Sequence, residues 1–495
     1  MTVAALMNIA ATRPPAVAGA FYTEDPERLR AEVEAFVETP TRRKGARALV
    51  VPHAGYPYSG AVAGEAFATL DGAAVRRVIL LGPSHHEGFE GGALPARNIT
   101  TFGTPLGEVP LDMNAIAALR GNADFRGPAD SHDPEHSLEV ELPFLRVVAP
   151  EAEIVPILVG HATDLEIARR MARALVPLLD EETVVVVSSD FTHHGARYGW
   201  TPFSAPDLGE QLVRLGRVTA GRLADADPQG FWHQVEVSGD TVCGARPLVV
   251  LAELLARAFD GVGEVLDVTT SGHRTGSWDL SVTYAGVAFF GAWTSWRDDV
   301  QPTLGVVSTA QGAQIVALAR ATLQSYLEHD GSIAEWYATP HAAEVSRAPA
   351  GAFVTLNHEG KKPADPGRLR ACMGVIEAKQ PLEQAVVQAA VWAAQDPRFP
   401  KLRADELDGL DVEVSILSPS HPVPGPEAIE ISTHGIILSK GRHRALFLPQ
   451  VATEQGWDLE TTLDHLARKA GMPTDGWRRG AQFEVFTAQV FGEER

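Results

Sequence analysis

Short apolar runs rich in β-branched residues recur along the first 290 residues, and each run ends in small or polar residues. Near-continuous apolar strands of this kind are typical of a sheet that is buried on both faces. The runs predict strands at Ala48–Pro52, Val78–Gly82, Ile154–Val159 and Val184–Val187. Helical periodicity separates them at Pro26–Phe36, Leu165–Leu179, Leu208–Leu223 and Arg246–Phe259. This alternation predicts an α/β domain with a mainly covered sheet, closed by a strand pair at Glu264–Thr270 and Ser281–Ala292.

The pattern changes near residue 300. The stretch Ser295–Leu304 is polar, contains Pro302 and breaks the periodicity, so we interpret it as a linker. Helices are then predicted at Gly312–Leu327, Leu382–Gln395 and Leu459–Ala470. Short strands surround them, at Ala352–Asn357, Met373–Glu377, Leu410–Leu417, Ile429–Ser432, Gly435–Ser439 and Glu484–Phe491. Strands grouped around separated helices predict an α+β domain, and the chain divides into residues 1–294, a linker at 295–305 and residues 306–495.

Composition narrows the class of partner. Asp and Glu outnumber Lys and Arg by 63 to 42, which argues against nucleic acid. No apolar run approaches the ~20 residues that a membrane-spanning helix needs, and Met1–Pro15 lacks the features of a secretory signal. The two cysteines, Cys243 and Cys372, are far apart and form no disulfide framework, so a cytoplasmic location is expected.

Side chains that can bind metals follow several predicted strands. His53, His85 and Asp190 come directly after the runs that end near residues 51, 81 and 187. In open α/β sheets, ligand sites lie outside the carboxyl ends of the strands, where loops converge. Cys243 precedes the helix at Arg246–Phe259, and a thiol near a helix N-terminus is expected to have a lowered pKa.

Each of these residues also has a purely structural interpretation. A single histidine after a strand is often a hydrogen-bonded structural residue, and a single intracellular cysteine is usually a small buried hydrophobe. His85 and His86 cannot both point into one site if the chain is extended there, because neighbours alternate. Only the occurrence of His53, His85 and Asp190 after separate strands, together with Cys243 before a helix, favours a metal site.

Six motifs occur together in the first domain. They are Arg13–Tyr22, Pro52–Gly60, Leu81–His86, Glu135–Pro143, Ser188–His193 and Val242–Gly244. As an ordered set, covering residues ~10–293, they resemble the Memo family, whose fold is similar to that of class III extradiol dioxygenases. The resemblance implies a metal bound by His53, His85 and Cys243, with Asp190 and His193 lining the same cleft. His136 and Glu139 belong to a further motif of the family, and their role is left open.

The implied ligand set has a clear chemistry. Two imidazoles and one thiolate leave coordination positions open, as a catalytic metal requires. Iron(II) is the first choice of metal, with copper or zinc as alternatives. Asp190 is expected to orient a ligand or act as a base, and His193 to shuttle a proton near neutral pH. The ligand set differs from that of the dioxygenases, so dioxygenase chemistry itself does not follow from the resemblance.

A second group of motifs lies in the C-terminal part. Asn357–Gly360, Leu369–Gly374, Trp392–Phe399, Thr433–Ile436 and Leu446–Ala452 together resemble the AMMECR domain over residues ~310–493. The family's Leu-Arg-Gly-Cys-Ile-Gly signature has Ala371 and Met373 here at its Gly and Ile positions.

Cys372 in this signature is predicted to be a nucleophile or thiol ligand, activated by Arg370 and His358. The alternative is a packed thiol on a strand, with Arg370 as a structural ion-pair partner. Strand alternation puts Arg370 and Cys372 on one face, which is compatible with either interpretation.

The fusion of these two domains carries a further implication. Memo-like and AMMECR-like proteins are similar to two components of the AmmeMemoRadiSam set, whose third member is a radical S-adenosylmethionine enzyme. Two cysteines cannot supply a three-cysteine cluster motif, so that enzyme must be a separate partner. The substrate is expected to be a small molecule or peptide. A metal-dependent redox enzyme and a non-catalytic metal- or partner-binding protein both fit, and metal-assisted hydrolysis ranks lower.

Overall fold

The computed structural model of the protein describes residues 10–38, 43–203, 207–298, 307–328, 348–362, 365–378 and 380–493. The described residues up to 298 form one compact unit, and those from 307 onwards form a second. Of the predicted linker at 295–305, residues from 299 onwards lie outside the described part of the chain. Trp296 packs against the core of the first unit, and the Arg297 N–H donates to the Arg257 carbonyl at 2.9 Å.

The first unit contains eleven strands among its described residues. They are β1 (Ala11–Arg13), β2 (Ala46–Val51), β3 (Arg77–Pro83), β4 (Gly92–Ala93), β5 (Ile99–Thr104), β6 (Gly107–Pro110), β7 (Glu153–Val159), β8 (Thr183–Ser188), β9 (His193–His194), β10 (Phe259–Thr270) and β11 (Ser281–Trp293). The helices are α1 (Pro26–Val37), α2 (Tyr56–Phe67), α3 (Met113–Leu119), α4 (Leu142–Val148), α5 (Leu165–Leu175), α6 (Leu208–Ala224), α7 (Pro228–Ser238), α8 (Ala245–Ala258) and α9 (Ser271–Thr275). Strands alternate with helices, as the apolar pattern predicts.

The main sheet has the strand order β10-β11-β2-β8-β3-β7-β4, and β9 adds to β11. Strands β2, β8, β3 and β7 are mutually parallel, whereas β11 runs antiparallel to β2 and pairs with β10. A smaller sheet has the order β1-β5-β6. The predicted α/β domain and its closing strand pair are therefore confirmed.

The core explains why the central strands are apolar throughout. Val184–Val187 are fully buried. Helix α8 contacts β3, β7 and β8 as well as α5 and α7, and α2 contacts β2, β10 and β11. A Cβ atom at Gly64 in α2 would lie 2.4 Å from the Phe36 carbonyl oxygen of α1, so glycine there permits the close approach of the two helices.

The described residues of the second unit form two antiparallel four-stranded sheets. Their strands are β12 (Gly351–His358), β13 (Leu369–Val375), β14 (Leu410–Leu417), β15 (His421–Val423), β16 (Gly435–Lys440), β17 (His443–Phe447), β18 (Gln482–Phe486) and β19 (Ala488–Gly492). The orders are β13-β12-β14-β19 and β15-β18-β16-β17. The helices are α10 (Thr309–Glu328), α11 (Leu382–Ala394), α12 (Ala404–Leu407), α13 (Pro449–Gln455) and α14 (Leu459–Lys469). Helices α10 and α11 pack on the first sheet and α14 on the second.

Three local predictions are wrong. The predicted helix at Leu165–Leu179 ends at Leu175 and continues as a 3-10 turn at Val176–Leu178, where Pro177 lacks an N–H for the helix. The predicted strand at Ile429–Ser432 is a turn, in which Ser432 has a φ of 77°. The predicted strand at Glu484–Phe491 is two strands, β18 and β19, which join different sheets on either side of Thr487.

Among the described residues, none of the helices has the length and apolar character needed to span a bilayer.

Candidate metal centre

The carboxyl ends of three neighbouring strands carry the candidate site. Strand β8 lies between β2 and β3, and Val51 at the end of β2 is in register with Ser188 at the end of β8. His53, Asp190 and His85 follow these strands directly. The His53 N–H donates to Oδ1 of Asp190 at 2.9 Å, so the carboxylate after β8 fixes the backbone after β2.

His53 is a buried, neutral imidazole. Its Nδ1 lies 2.8 Å from Oγ of Ser188, and the Ser188 hydroxyl donates to the Ser137 carbonyl at 2.6 Å. With that hydroxyl proton used, Ser188 Oγ accepts from Nδ1–H, which leaves Nε2 as the basic nitrogen. Burial, and then repulsion from His85 and His136, holds the pKa of His53 well below its ordinary value.

Three imidazoles gather at this edge of the sheet. The ring centroid of His53 lies 5.2 Å from that of His85 and 5.5 Å from that of His136. The rings of His85 and His136 stack with their centroids 4.7 Å apart. Ligand nitrogens of all three lie within 4.8 Å of one another. His53 is buried, His136 is partly buried and His85 is exposed, so the group opens to solvent at His85. Three imidazoles in this arrangement fit a divalent transition metal.

One carboxylate holds two of these rings. Oε1 of Glu135 lies 2.8 Å from Nδ1 of His85 and 3.3 Å from Nδ1 of His136. Oε2 accepts the His85 N–H at 2.6 Å, and Oε1 accepts the N–H groups of His136 and Ser137, each at 2.9 Å. Burial raises the pKa of Glu135, but the hydrogen bonds from His136 and His85 outweigh it and hold the pKa well below the ordinary value.

Asp190 and His193 lie beside the three rings. Asp190 is 5% exposed, and burial raises its pKa against the opposing charge of His193. Nδ1 of His193 lies 2.9 Å from the Phe191 carbonyl and 3.0 Å from the Thr241 carbonyl. Because both partners only accept, Nδ1 carries the proton and Nε2 is the nitrogen that can receive one. Their catalytic roles stay predictions.

Cys243 lies next to His53. Its Sγ is 3.3 Å from His53 Nε2 and donates to the Asp190 carbonyl at 3.4 Å. The expected lowering of its pKa is wrong: burial, and then repulsion from Asp190, raises the pKa of this thiol well above its ordinary value. The position before α8 does not offset the loss of hydration. Among the described residues, the group of mutually close ligand atoms contains His136 and does not include Cys243.

The strand-end rule, by which ligand residues directly follow strands of the sheet, misses His136 because no strand ends directly before this residue. His136 lies in the loop before a 3-10 helix at Glu139–Glu141, within the motif Glu135–Pro143, which is the only sequence signal for it. His86 is exposed and lies outside the group of three rings.

Glu139 from the same motif has a structural place. It pairs with Arg13 at 2.7 Å, with both side chains almost fully buried. Its carboxylate also accepts the Tyr22 hydroxyl at 2.7 Å and the Ala16 and Val17 N–H groups at 2.6 and 2.9 Å. Arg13 also donates to the carbonyls of His132, at 2.7 Å, and of Glu135. This pair therefore fixes the segment that carries Glu135 and His136.

The predicted cysteine of the second unit lies on β13. Cys372 is partly exposed, and its Sγ accepts the Thr355 hydroxyl at 3.3 Å. Burial raises the pKa of Cys372, while the Thr355 hydrogen bond and then the charges of Arg398 and Lys469 lower it. Arg398 donates to the Cys372 carbonyl at 2.8 Å.

Arg370, by contrast, pairs with Glu406 at 2.9 Å and donates to the Pro400 carbonyl at 3.0 Å. In the pairing of β12 with β13, Leu356 opposes Ala371 and Asn357 opposes Leu369. Arg370 is thus the extra residue of a bulge, which interrupts the strict alternation assumed for Arg370 and Cys372.

These features define a class: an α/β protein with a candidate three-histidine metal centre at the carboxyl edge of its sheet, followed by an α+β unit. A family model described as Memo-like protein matches residues 13–288, and one described as AMMECR1 matches residues 316–491. The chain belongs to the Memo family and carries an AMMECR1 domain after the Memo domain, which confirms the predicted fusion.

Relatives fall into two groups by the share of the chain that they match. The MEMO1 family protein MK0963 of Methanopyrus kandleri is 33% identical over 293 residues, which are 56% of this chain and 98% of that protein. Protein MEMO1 of Xenopus tropicalis is 30% identical over 57% of this chain and 99% of its own length. Protein MJ0810 of Methanocaldococcus jannaschii is 39% identical over 38% of this chain and 92% of its own length. The crystal structure of the uncharacterized protein PH0010 from Pyrococcus horikoshii is 36% identical, covers 38% of this chain and 94% of that one, and has a TM-score of 0.35.

Proposed function

We propose that the Memo domain is a metal-dependent oxidoreductase whose metal is held by His53, His85 and His136. The observation that carries the proposal is the group of three imidazole nitrogens within 4.8 Å of one another. Iron(II) is the proposed metal, since imidazole suits iron as well as the alternatives copper and zinc. The fold similarity to class III extradiol dioxygenases belongs to this proposal, and the placement of the site beyond the carboxyl ends of parallel strands supports it.

The chain supplies groups for proton movement beside the metal position. When bound, a redox-active metal with three protein ligands supplies electron transfer and open positions for substrate. Asp190 holds a proton or accepts one at its carboxylate, and His193 receives one at Nε2. Cys243 lies within reach of the same position, because its Sγ is 3.3 Å from His53 Nε2, and it is a fourth ligand if its thiol loses its proton.

We also propose that the two domains act on one small-molecule or peptide substrate together with a separate radical S-adenosylmethionine enzyme. The fusion of a Memo domain with an AMMECR1 domain in one chain supports a shared substrate. The radical S-adenosylmethionine enzyme must supply its own iron–sulfur cluster, because the chain has two cysteines in all. Co-purification of the two proteins after co-expression tests the partnership, and separate elution would contradict it.

Metal analysis of the full chain tests the proposed centre. We expect protein purified without oxygen to contain about one redox-active metal ion per chain, and we expect His85→Ala and His136→Ala to lose it. His86→Ala is the matched control, because His86 is an exposed neighbour outside the group of three rings and this variant should keep the metal.

Cys243→Ser separates the two possible ligand sets. Retention of metal in Cys243→Ser together with loss in His136→Ala supports the three-imidazole centre, whereas the reverse result supports two imidazoles and a thiolate. Oxygen uptake by the metal-loaded protein with a small catechol-like compound supports the oxidoreductase. Bound metal without any redox activity would leave a metal-binding protein, and absence of metal from the native chain would overturn the proposal.

A further inference from the structure

A single buried carboxylate, that of Glu135, contacts the imidazoles of both His85 and His136. Glu135 is 2% exposed, and its Oε1 lies 2.8 Å from Nδ1 of His85 and 3.3 Å from Nδ1 of His136. The two rings stack at 4.7 Å with an angle of 25° between their planes. A shared acceptor on one side of two stacked rings places their other nitrogens on the opposite side.

The contact fixes where the ring protons lie. An ionised carboxylate only accepts hydrogen bonds, so a neutral imidazole that faces it must carry its proton on Nδ1. Nε2 of His85 and of His136 is then the basic nitrogen, which is the form that binds a metal. His53 reaches the same state through Ser188, so all three rings expose Nε2.

We propose that Glu135 is a positioning residue that fixes His85 and His136 in the Nδ1-protonated tautomer, in the orientation that presents both Nε2 atoms to one metal ion. This inference rests on the proposed function for its metal, but the tautomers exist in the metal-free protein. Neither the motif pattern nor the strand-end rule assigns a role to Glu135.

The role is separable from folding of the loop. The Glu135 carbonyl accepts from Arg13, and Arg13 also binds the His132 carbonyl and the Glu139 carboxylate. These contacts add to the bonds that the Glu135 carboxylate accepts from the N–H groups of His85, His136 and Ser137. Glu135→Gln keeps one acceptor oxygen for these N–H groups, so this variant is expected to release the two rings while the loop keeps its place.

Glu135→Gln in the full chain tests the inference, with nitrogen NMR of 15N-histidine-labelled, metal-free protein as the first measurement. Wild type should show both rings protonated on Nδ1, and Glu135→Gln should show mixed tautomers, because the amide offers one acceptor oxygen and adds an N–H donor. Zinc affinity by competition with a chelator should fall by about 10- to 100-fold. Glu141→Gln is the control: Glu141 is buried in the same segment but binds Ser188, so the tautomers of His85 and His136 should not change.

The outcomes distinguish the inference from the proposed function. Unchanged tautomers and unchanged zinc affinity in Glu135→Gln would overturn the inference and leave the metal centre standing. Shifted tautomers in a protein whose wild type binds no metal would support the inference and overturn the function. If Glu135→Gln does not fold, the wild-type spectrum decides alone, because a neutral ring of His85 or His136 that carries its proton on Nε2 contradicts the proposed role.

Discussion

The buried pair of Arg13 and Glu139 should control both the stability of the first unit and its metal site. The two side chains are about 2% and 0% exposed. Removal of one partner from a buried ion pair typically costs ~3–5 kcal/mol, because the remaining charge stays buried. In Arg13→Met, the Glu139 carboxylate keeps its bonds to Tyr22, Ala16 and Val17, so we expect the free energy of unfolding to fall by ~3 kcal/mol.

Hydrogen exchange with mass spectrometry measures this loss in the full chain, since peptides of the two units are read separately. A loss of ~3 kcal/mol makes globally exchanging amides of the first unit exchange about 10²-fold faster, with the second unit unchanged. Arg170→Met is the control, because the Arg170–Asp124 pair is similar in length, 2.8 Å, but Arg170 is half-exposed and contributes at most ~1 kcal/mol. Equal effects of Arg13→Met and Arg170→Met would refute the reasoning. An unchanged metal affinity in Arg13→Met would also refute the reasoning.

Two further results are expected. Cys372 should react with iodoacetate in the native chain, and Arg398→Gln should slow that reaction by about two- to fivefold, because the charge of Arg398 lowers the pKa of the Cys372 thiol and the thiolate is the reactive form. An unchanged rate would contradict a role for the Arg398 charge. Burial raises the pKa of Asp240 to about 7, so the folded state binds its proton more tightly than the unfolded state, and the stability that this proton contributes declines as the pH rises from about 4 to 7. The Tm of Asp240→Asn relative to wild type should therefore rise over that range, and a constant difference would show that Asp240 does not titrate as its burial implies.

Local patterns were sufficient for the central strands of the first unit and for two of the three imidazoles of the candidate site. The apolar runs place β2, β3, β7 and β8 to within two residues, because burial on both faces selects near-continuous apolar strands. The same rule brings His53, His85 and Asp190 to one edge. It fails for Glu484–Phe491, where one apolar run supplies two strands, since the point at which a chain changes sheets depends on its partners.

Contacts between distant parts of the chain decided the rest. His136 lies beside His53 and His85 because Arg13 pairs with Glu139 and so fixes the segment that carries His136. Arg13 lies 126 residues before Glu139, and no local pattern encodes a pairing over that distance. Burial, which is a property of the packed core, raises the pKa of Cys243 where its place before a helix predicts the opposite. The sequence by itself determined the two domains, the central strands of the first and the strand ends that carry ligands, because these depend on short-range periodicity. Only the tertiary structure decided which imidazoles meet, which carboxylate holds them and which groups keep their protons, because those depend on neighbours that the chain brings together from far apart.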